Sequence, residues 1–259
     1  MHICELHIRH VNVAVQGRTT APSRSIYITL QTIWPDIVDK INSEDAVLKK
    51  LNWSKPEFCP GTLLHKLLKE TLEFCNTALA MNTFERGDHK YLCQLVVVFL
   101  GGHIEKFRFK QPGAHHQARW FADCIYLLVI RMTERYTNFS QEILEKVEIM
   151  TEYICFYHAV NFLQANITSK APINDLKTAK LAIQILMDNC CQKRYEKVAI
   201  ALQASLNRYT WYLVPQVVPV CLADDDLEVE EKLKIANKLL SEYYPEKFDV
   251  ELAELAVAG

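Results

Sequence analysis

Glycine and proline are scarce in this sequence, with seven and nine copies among 259 residues. Sandwiches and barrels of many strands need frequent tight turns, and tight turns draw on both residues. The scarcity therefore argues against a sheet-rich fold and favours helices. Hydrophobic residues make up 50% of the chain, which is enough to bury a large core. We therefore predict one all-α domain over residues 1–259, a multi-helix bundle with room for one or two short strands.

A strong charge imbalance is also missing, since 29 basic and 31 acidic residues leave a formal net charge of −2. No overall positive field exists to attract nucleic acid or an anionic membrane, so any such contact needs a local basic patch. The longest nearly apolar run, Tyr91 to Leu100, is about half the ~20 residues that a membrane-spanning helix requires. We expect no membrane partner.

Cysteine is plentiful, but its pattern lacks what a disulfide framework needs. The nine copies are odd in number and include no C-x-x-C pair. Several interrupt apolar helical patterns, where a free thiol behaves as a small hydrophobic residue. The first ten residues lack the apolar stretch of a signal peptide. These features predict reduced core cysteines in an intracellular protein of the nucleus or cytoplasm.

Familiar catalytic motifs are absent: the chain has no G-x-S-x-G, H-E-x-x-H, Walker or G-x-G-x-x-G pattern. Cys4, His7 and His10 follow each other at three-residue steps and could touch a zinc ion from one helix, but no second cluster completes such a site. Cys155 and His158 repeat the spacing in an apolar helix, where a satisfied core histidine is the simpler interpretation. We assign no catalytic residue, metal or cofactor, and no small-molecule substrate.

The clearest helix begins at Thr62, a good N-cap residue that follows Pro60-Gly61. Apolar residues then recur at three- and four-residue steps, which predicts a core-facing amphipathic helix. That stripe consists of Leu64, Leu68, Leu72, Cys75 and Leu79, and Leu63, Leu67, Phe74 and Ala78 widen it.

Further helices are predicted over residues 1–16, 23–33, 115–136, 140–165, 172–191 and 195–209, and before Tyr243, giving about seven to nine in total. Pro35 is expected to interrupt the second of these. Residues 89–100 are apolar on all sides and fit either a buried helix, which their length favours, or a buried strand. Gly101-Gly102 ends that element. Acidic residues between Asp224 and Glu231 favour the dipole of the last helix.

The densest basic group lies between His103 and Trp120 and comprises Lys106, Arg108, Lys110 and Arg119. From Glu105 to Lys110 the cations alternate with Phe107 and Phe109, a period of two that predicts a short extended segment. Such a segment could place its cations along a phosphate backbone. The alternative is an edge strand whose cations face water while its phenylalanines join the core.

Three stretches resemble a group of invertebrate transposon-derived proteins. They are HICELHI (His2 to Ile8), QPGAHHQARW (Gln111 to Trp120) and WYLVPQVVPVCLADDDL (Trp211 to Leu227). These proteins look like hAT-type transposases, whose RNase H-like catalytic fold carries three metal-binding carboxylates and a large helical insertion. The resemblance covers only the C-terminal and insertion region that follows the second catalytic strand, and His2 matches the histidine that follows the second acid.

The resemblance implies a chain without transposase catalysis. Two of the three carboxylates belong to strands upstream of the segment where this chain begins, and Val214, Pro215 and Gln216 stand where relatives carry the third acid. A two-metal site needs clustered carboxylates to hold its ions. We therefore expect a truncated or retained remnant that binds nucleic acid or a second copy of itself. The alternatives are an unrelated helical interaction scaffold and an enzyme of unidentified class.

Overall fold

The computed structural model describes residues 2–19, 21, 23–82, 84, 86–113, 121–165, 168–209, 222–223 and 227–243. Within those ranges every regular element is helical, which confirms the predicted all-α class. In chain order the α-helices are α1 His2–Gln16, α2 Ser25–Ile41, α3 Leu63–Met81, α4 Gly87–Phe99, α5 Phe121–Met132, α6 Gln141–Tyr153, α7 Ala159–Leu163, α8 Ala171–Met187, α9 Asn189–Tyr209 and α10 Val229–Tyr243.

Helix α2 continues through Pro35, so the predicted interruption is wrong. An interior proline removes one backbone hydrogen bond and usually costs ~3 kcal/mol. Pro35 is exposed, whereas Trp34 and Ile37 beside it and Ile41 at the helix end are buried. Burial of these side chains on both sides of the proline outweighs the lost bond, so the helix extends to Ile41.

Helix α3 begins as its sequence predicts, because the Thr62 hydroxyl accepts a hydrogen bond from the backbone N–H of His65. Leu64, Leu68 and Cys75 are fully buried, and Leu72 and Leu79 at the edge of the same stripe are half-buried. The predicted stripe is therefore core along its centre. The residues that widen it lie in a groove described below.

Helix α4 settles the ambiguity of residues 89–100 in favour of a buried helix. Its end is fixed by the glycine pair, since Gly101 takes a left-handed φ of 93°. The N–H groups of Gly101 and Gly102 then bond to the carbonyls of Val98 and Val97. This is a Schellman motif, and it satisfies the last carbonyls of the helix.

Helices α6 and α7 form one long helix interrupted by a π turn, Ile154–His158. Single π turns inside α-helices are uncommon and often lie near functional sites. Further along, α8 ends at Met187, before the predicted boundary at residue 191. The Asp188 carboxylate accepts the N–H groups of Cys190 and Cys191, so it caps α9 and assigns the cysteine pair to that helix.

The core lies where α4 and α5 pack against α3 and α6, and both central helices are buried along most of their length. Helix α1 packs against α9 and α6, and α9 in turn packs against α8. Six of the eight cysteines within the described ranges are buried, as the sequence predicts, whereas Cys59 and Cys190 are exposed. None of the described helices is long and apolar enough to cross a membrane.

Candidate functional site

The predicted basic segment is a turn at its start, because Lys106 has a left-handed φ of 53°. A residue in that conformation breaks the alternation of side chains that an extended strand imposes. The prediction of one extended segment over 105–110 is therefore wrong at Glu105 and Lys106. Residues 107–110 follow as irregular chain.

Two side chains fix the backbone of this segment. Asn42, at the end of α2, accepts the N–H of Phe109 at 2.7 Å and donates to the carbonyl of the same residue at 3.3 Å. The Tyr91 hydroxyl accepts the N–H of Lys110 at 2.9 Å. Phe109 is buried and makes a T-shaped contact with half-buried Phe107 at 5.0 Å between ring centroids. The predicted apolar side of the segment is thus confirmed.

The three described cations of the segment lie in solvent. The Lys106 side chain is 88% exposed and lies 3.8 Å from the equally exposed Glu105. Arg108 is exposed, and the ammonium of Lys110 lies 4.9 Å from the centroid of the Tyr91 ring. The fourth predicted residue, Arg119, lies outside the described residues, as do His115, His116 and Trp120.

A cleft of about 520 Å³ adjoins the end of the segment. Two cations, Arg86 and Lys110, and two acids, Glu5 and Asp88, lie on its walls, so its charge is balanced. Arg86 pairs with Asp88, and the hydrogen bond from that pairing raises the pKa of the arginine. Lys110 belongs to both the turn and the cleft wall, and the only other cation described on that wall, Arg86, is already paired with Asp88.

No protein-family model matches this chain, and no curated protein or solved structure is significantly similar to it. The transposase resemblance remains a prediction. Of the three stretches that carry it, His2 to Ile8 belongs to α1 and Gln111 to Gly113 adjoin the cleft. Residues 114–120, 211–221 and 224–226 of these stretches lie outside the described residues.

Two members of the Cys4, His7 and His10 series, to which we assign no metal, have other partners in the fold. The Cys4 thiol donates to the carbonyl of Asn161 at 3.8 Å. His7 bonds to Ser205 at 2.8 Å and to Asp175 at 3.3 Å. Across the described ranges, no group of three histidines, cysteines or acids converges as metal ligands would.

The contacts of His7 have the residue types of a serine nucleophile, a base and an acid, which sequence spacing could not show. Ser205 and His7 are fully buried, and Asp175 is 4% exposed. A nucleophile must reach its substrate, and a serine inside α9 with no access to solvent does not. This constellation therefore joins α1, α8 and α9 as a buried polar contact.

A larger set of charges was also invisible in the sequence, because its members are far apart along the chain. We call it the ion network and define it by its mostly buried members: Lys55, Arg131, Arg194, Glu134, Glu148 and Glu152. The half-exposed Lys49 contacts its edge at Glu134, at 3.3 Å, and is not counted in it. Burial would raise the pKa of Glu148, but the hydrogen bond from Arg194 and the charges of Arg131 and Lys55 together lower it. The network ties α5, α6 and α9 to the loop before α3.

His158 is buried at the end of the π turn, and neither of its ring nitrogens has a hydrogen-bond partner among the described residues. Its expected role as a satisfied core histidine is therefore wrong, although its position in the core is as predicted. Burial, aided by the charge of His7, lowers the pKa of His158 to about 3. The ring is neutral at physiological pH and acts as a packed aromatic beside Tyr153 and Phe162.

Proposed function

We propose that the protein is a non-catalytic, transposase-derived helical protein of the nucleus or cytoplasm. In this proposal it binds nucleic acid through the basic turn, defined as Lys106, Arg108 and Lys110. Arg119 adds a fourth cation close in sequence. Phosphate contacts of this kind depend on charge and are independent of base sequence.

The observation that carries the proposal is that hydrogen bonds from other helices hold the backbone of the turn, while its cationic side chains extend into solvent. Asn42 and Tyr91 hold the main chain at residues 109 and 110. The side chains of Lys106 and Arg108 nevertheless extend into solvent. A pre-positioned segment loses little conformational freedom when it binds a polyanion, which favours binding.

The surroundings of the turn set a limit on affinity. Asp39, Glu44 and Asp45 are exposed and lie within three residues of Asn42 along the chain, so negative charge adjoins the turn. Acids of this kind repel phosphates, and their effect is screened only at distances beyond ~10 Å at 0.1 M salt. We therefore expect binding that is detectable at low salt and lost near physiological salt.

The non-catalytic part of the proposal rests on the sequence. Val214, Pro215 and Gln216 stand where the resembled transposases carry their third acid, and a two-metal site needs clustered carboxylates. Incubating purified protein with DNA and magnesium or manganese tests this part of the proposal. Cleavage that co-purifies with the wild-type chain would overturn it.

The binding proposal is tested with a fluorescent DNA duplex, by measuring anisotropy over a series of salt concentrations. Each phosphate neutralised adds about 0.9 to the slope of log affinity against log salt. The triple variant Lys106→Gln, Arg108→Gln, Lys110→Gln should therefore bind more weakly and flatten the slope by up to about 2.7. Absence of wild-type binding at low salt contradicts the proposal.

A matched control distinguishes the effect of the basic turn on DNA binding from the effect of the protein's total charge. Lys193 and Lys197 on α9 and Lys234 on α10 are exposed. Their replacement by Gln therefore removes the same amount of charge outside the basic turn. We expect this variant to retain most of the affinity and slope. Equal loss in both variants would show that binding depends on total charge rather than on the basic turn.

A protein-interaction scaffold is the second candidate, and one observation favours it. Helices α3 and α8 form the walls of a groove that no described element fills, and its apolar residues lie mainly on α3 and on the floor. Apolar surface that is concentrated in a groove is a common feature of helix- and peptide-binding sites.

A further inference from the structure

The groove arises because α3 carries a wider apolar stripe than its core packing covers. Leu64 and Leu68 are fully buried, but Leu67 and Phe74 on the adjoining face are half-buried. They line a groove of about 590 Å³ together with Val160 of α7 and residues of α8. Part of an apolar helix face is thus left accessible to a further apolar segment.

The two walls of the groove have matching lengths. On α3 the lining residues run from Leu63 to Phe74, which spans ~16 Å at 1.5 Å per residue. On α8 they run from Asn174 to Gln184, or ~15 Å. The floor comes from Phe156 and Val160 of the π turn and α7. A groove of this length fits about three turns of helix, or roughly ten residues.

The rim of the groove is positively charged. Lys177 and Lys180 on α8 are exposed, and neither pairs with an acid in the described part of the chain. On the opposite wall Lys66 pairs with Glu70 at 3.7 Å, and these two charges cancel. The rim therefore favours an occupant whose apolar residues are flanked by acids.

One segment of this chain has that composition. Residues 246–255, with the sequence EKFDVELAEL, lie outside the described residues. Phe248, Leu252 and Leu255 are separated by four and three residues, which puts them on one face of any helical turn. Four acids and one lysine give the segment a net charge of −3. We infer that residues 246–255 bind in the groove of the same chain, with acids such as Glu251 and Glu254 facing Lys177 and Lys180.

Amide hydrogen exchange of the full-length chain tests this inference. Replacing Leu252 and Leu255 by Asp removes the apolar anchors of the segment. We expect exchange about tenfold faster or more at residues 246–255 and at the groove walls, because bound segments protect their own amides and those of the helices they cover. Unchanged exchange in α4 shows that the fold is retained in the variant.

Val250→Asp is the matched control, since residue 250 falls on the opposite face from Phe248 at helical spacing. It adds the same charge per substitution and should leave protection of the groove walls unchanged. The inference fails if Val250→Asp acts as the double variant does. It also fails if residues 246–255 of the wild-type chain exchange as fast as an unstructured peptide.

Zero-length carbodiimide crosslinking identifies which copy supplies the segment. Equal amounts of unlabelled and nitrogen-15-labelled chain are mixed, and crosslinks from Lys177 or Lys180 to residues 246–254 are identified by mass spectrometry. Crosslinks confined to residues of the same isotope, and lost in Lys177→Glu with Lys180→Glu, support the inference. Mixed-isotope crosslinks in about the same amount as same-isotope ones, which binding between copies would give, or no crosslink from either lysine, overturn it.

Discussion

The basic turn and the ion network each contain three cations, but they differ in what surrounds those cations. In the ion network, Lys55, Arg131 and Arg194 all contact glutamates at hydrogen-bonding distance, and most of their surface is buried. In the basic turn, Lys106 has one acidic neighbour, Glu105, at 3.8 Å, and the side chains of both are almost fully exposed. Arg108 extends into solvent. The first set is committed to folding, whereas the second remains available to a partner.

This difference shows that charge density along a sequence and charge density in space are separate quantities. The basic turn is prominent in the sequence because its cations fall within five consecutive residues. The ion network is drawn from residues between 55 and 194, and α5, α6 and α9 bring it together. Only the fold reveals the charges that stabilise it.

The largest expected effect comes from breaking the ion network at Glu152. This carboxylate is 1% exposed and accepts hydrogen bonds from Lys55, Arg194 and Tyr195. Glu152→Gln should cost roughly 3–5 kcal/mol in the free energy of unfolding, because Lys55 and Arg194 are left to share Glu148 as their counter-charge and the buried site loses its charge-assisted hydrogen bonds. Urea denaturation followed by circular dichroism measures the cost. As a control, Glu142→Gln removes a fully exposed carboxylate and should leave the transition where it is.

Replacement of an apolar core residue gives a reference for the cost of breaking the ion network, because no electrostatic interaction is lost with it. Leu68 is fully buried on α3. Leu68→Ala should cost about 2–5 kcal/mol, the sum of lost burial and the cavity that remains. Leu176→Ala on α8, where the leucine is 60% exposed, is the control and should change stability by less than about 0.5 kcal/mol. Equal effects at both positions in urea denaturation would show that α3 does not face the core.

Local rules predicted the parts of the fold that depend on neighbours in sequence. The Thr62 cap, the centre of the α3 stripe and the glycine stop of α4 follow from such rules, and the structure confirms each of them. Pro35 shows where these rules fail, since the tertiary burial of Trp34 and Ile37 outweighs a local penalty. Sequence alone does not reveal which burial will be available.

The sequence also predicted only part of the candidate site: the exposure of some side chains, but neither the turn at Lys106 nor the hydrogen bonds that hold the backbone. Alternation correctly assigned Phe109 to the core and Arg108 to solvent, because both depend on period-two spacing over three residues. The left-handed φ of Lys106 carries no such signal, because lysine has no preference for that conformation. The supports from Asn42 and Tyr91 come from other helices and could not be read from this segment.

His158 represents a third case, a titratable group that is buried without a hydrogen-bond partner in the part of the chain that the structure describes. Its pKa is lowered from 6.5 to about 3 in the folded chain, so below pH 6.5 the unfolded chain binds the proton that the folded chain excludes. The contribution of neutral His158 to the free energy of unfolding is therefore fully present above pH 6.5, and it is lost as the pH falls from 6.5 to about 3. At pH 5 the loss should reach about 2 kcal/mol relative to pH 7.5.

The matched variant for this pH dependence is His158→Leu, which cannot titrate. The difference in unfolding free energy between wild type and variant isolates the histidine, because all other titrating groups are common to both. We expect this difference to shift by about 2 kcal/mol in favour of the variant between pH 7.5 and pH 5. If the difference is the same at both pH values, the histidine is not held neutral by burial.

The smallest expected effect concerns the stability contributed by the basic turn itself. Lys106→Gln and Arg108→Gln should each change the free energy of unfolding by less than about 0.5 kcal/mol, since neither side chain is buried or closely paired. Lys110→Gln should cost slightly more, about 0.5–1 kcal/mol, because its ammonium lies over the Tyr91 ring. Urea denaturation of the three single variants beside Glu152→Gln provides the measurement. Losses at Lys106 or Arg108 that approach the loss at Glu152 would mean that the turn is committed to folding, and the distinction between the two sets of cations would fail. Small losses there, together with weakened DNA binding, are the combination that a surface retained for a partner requires.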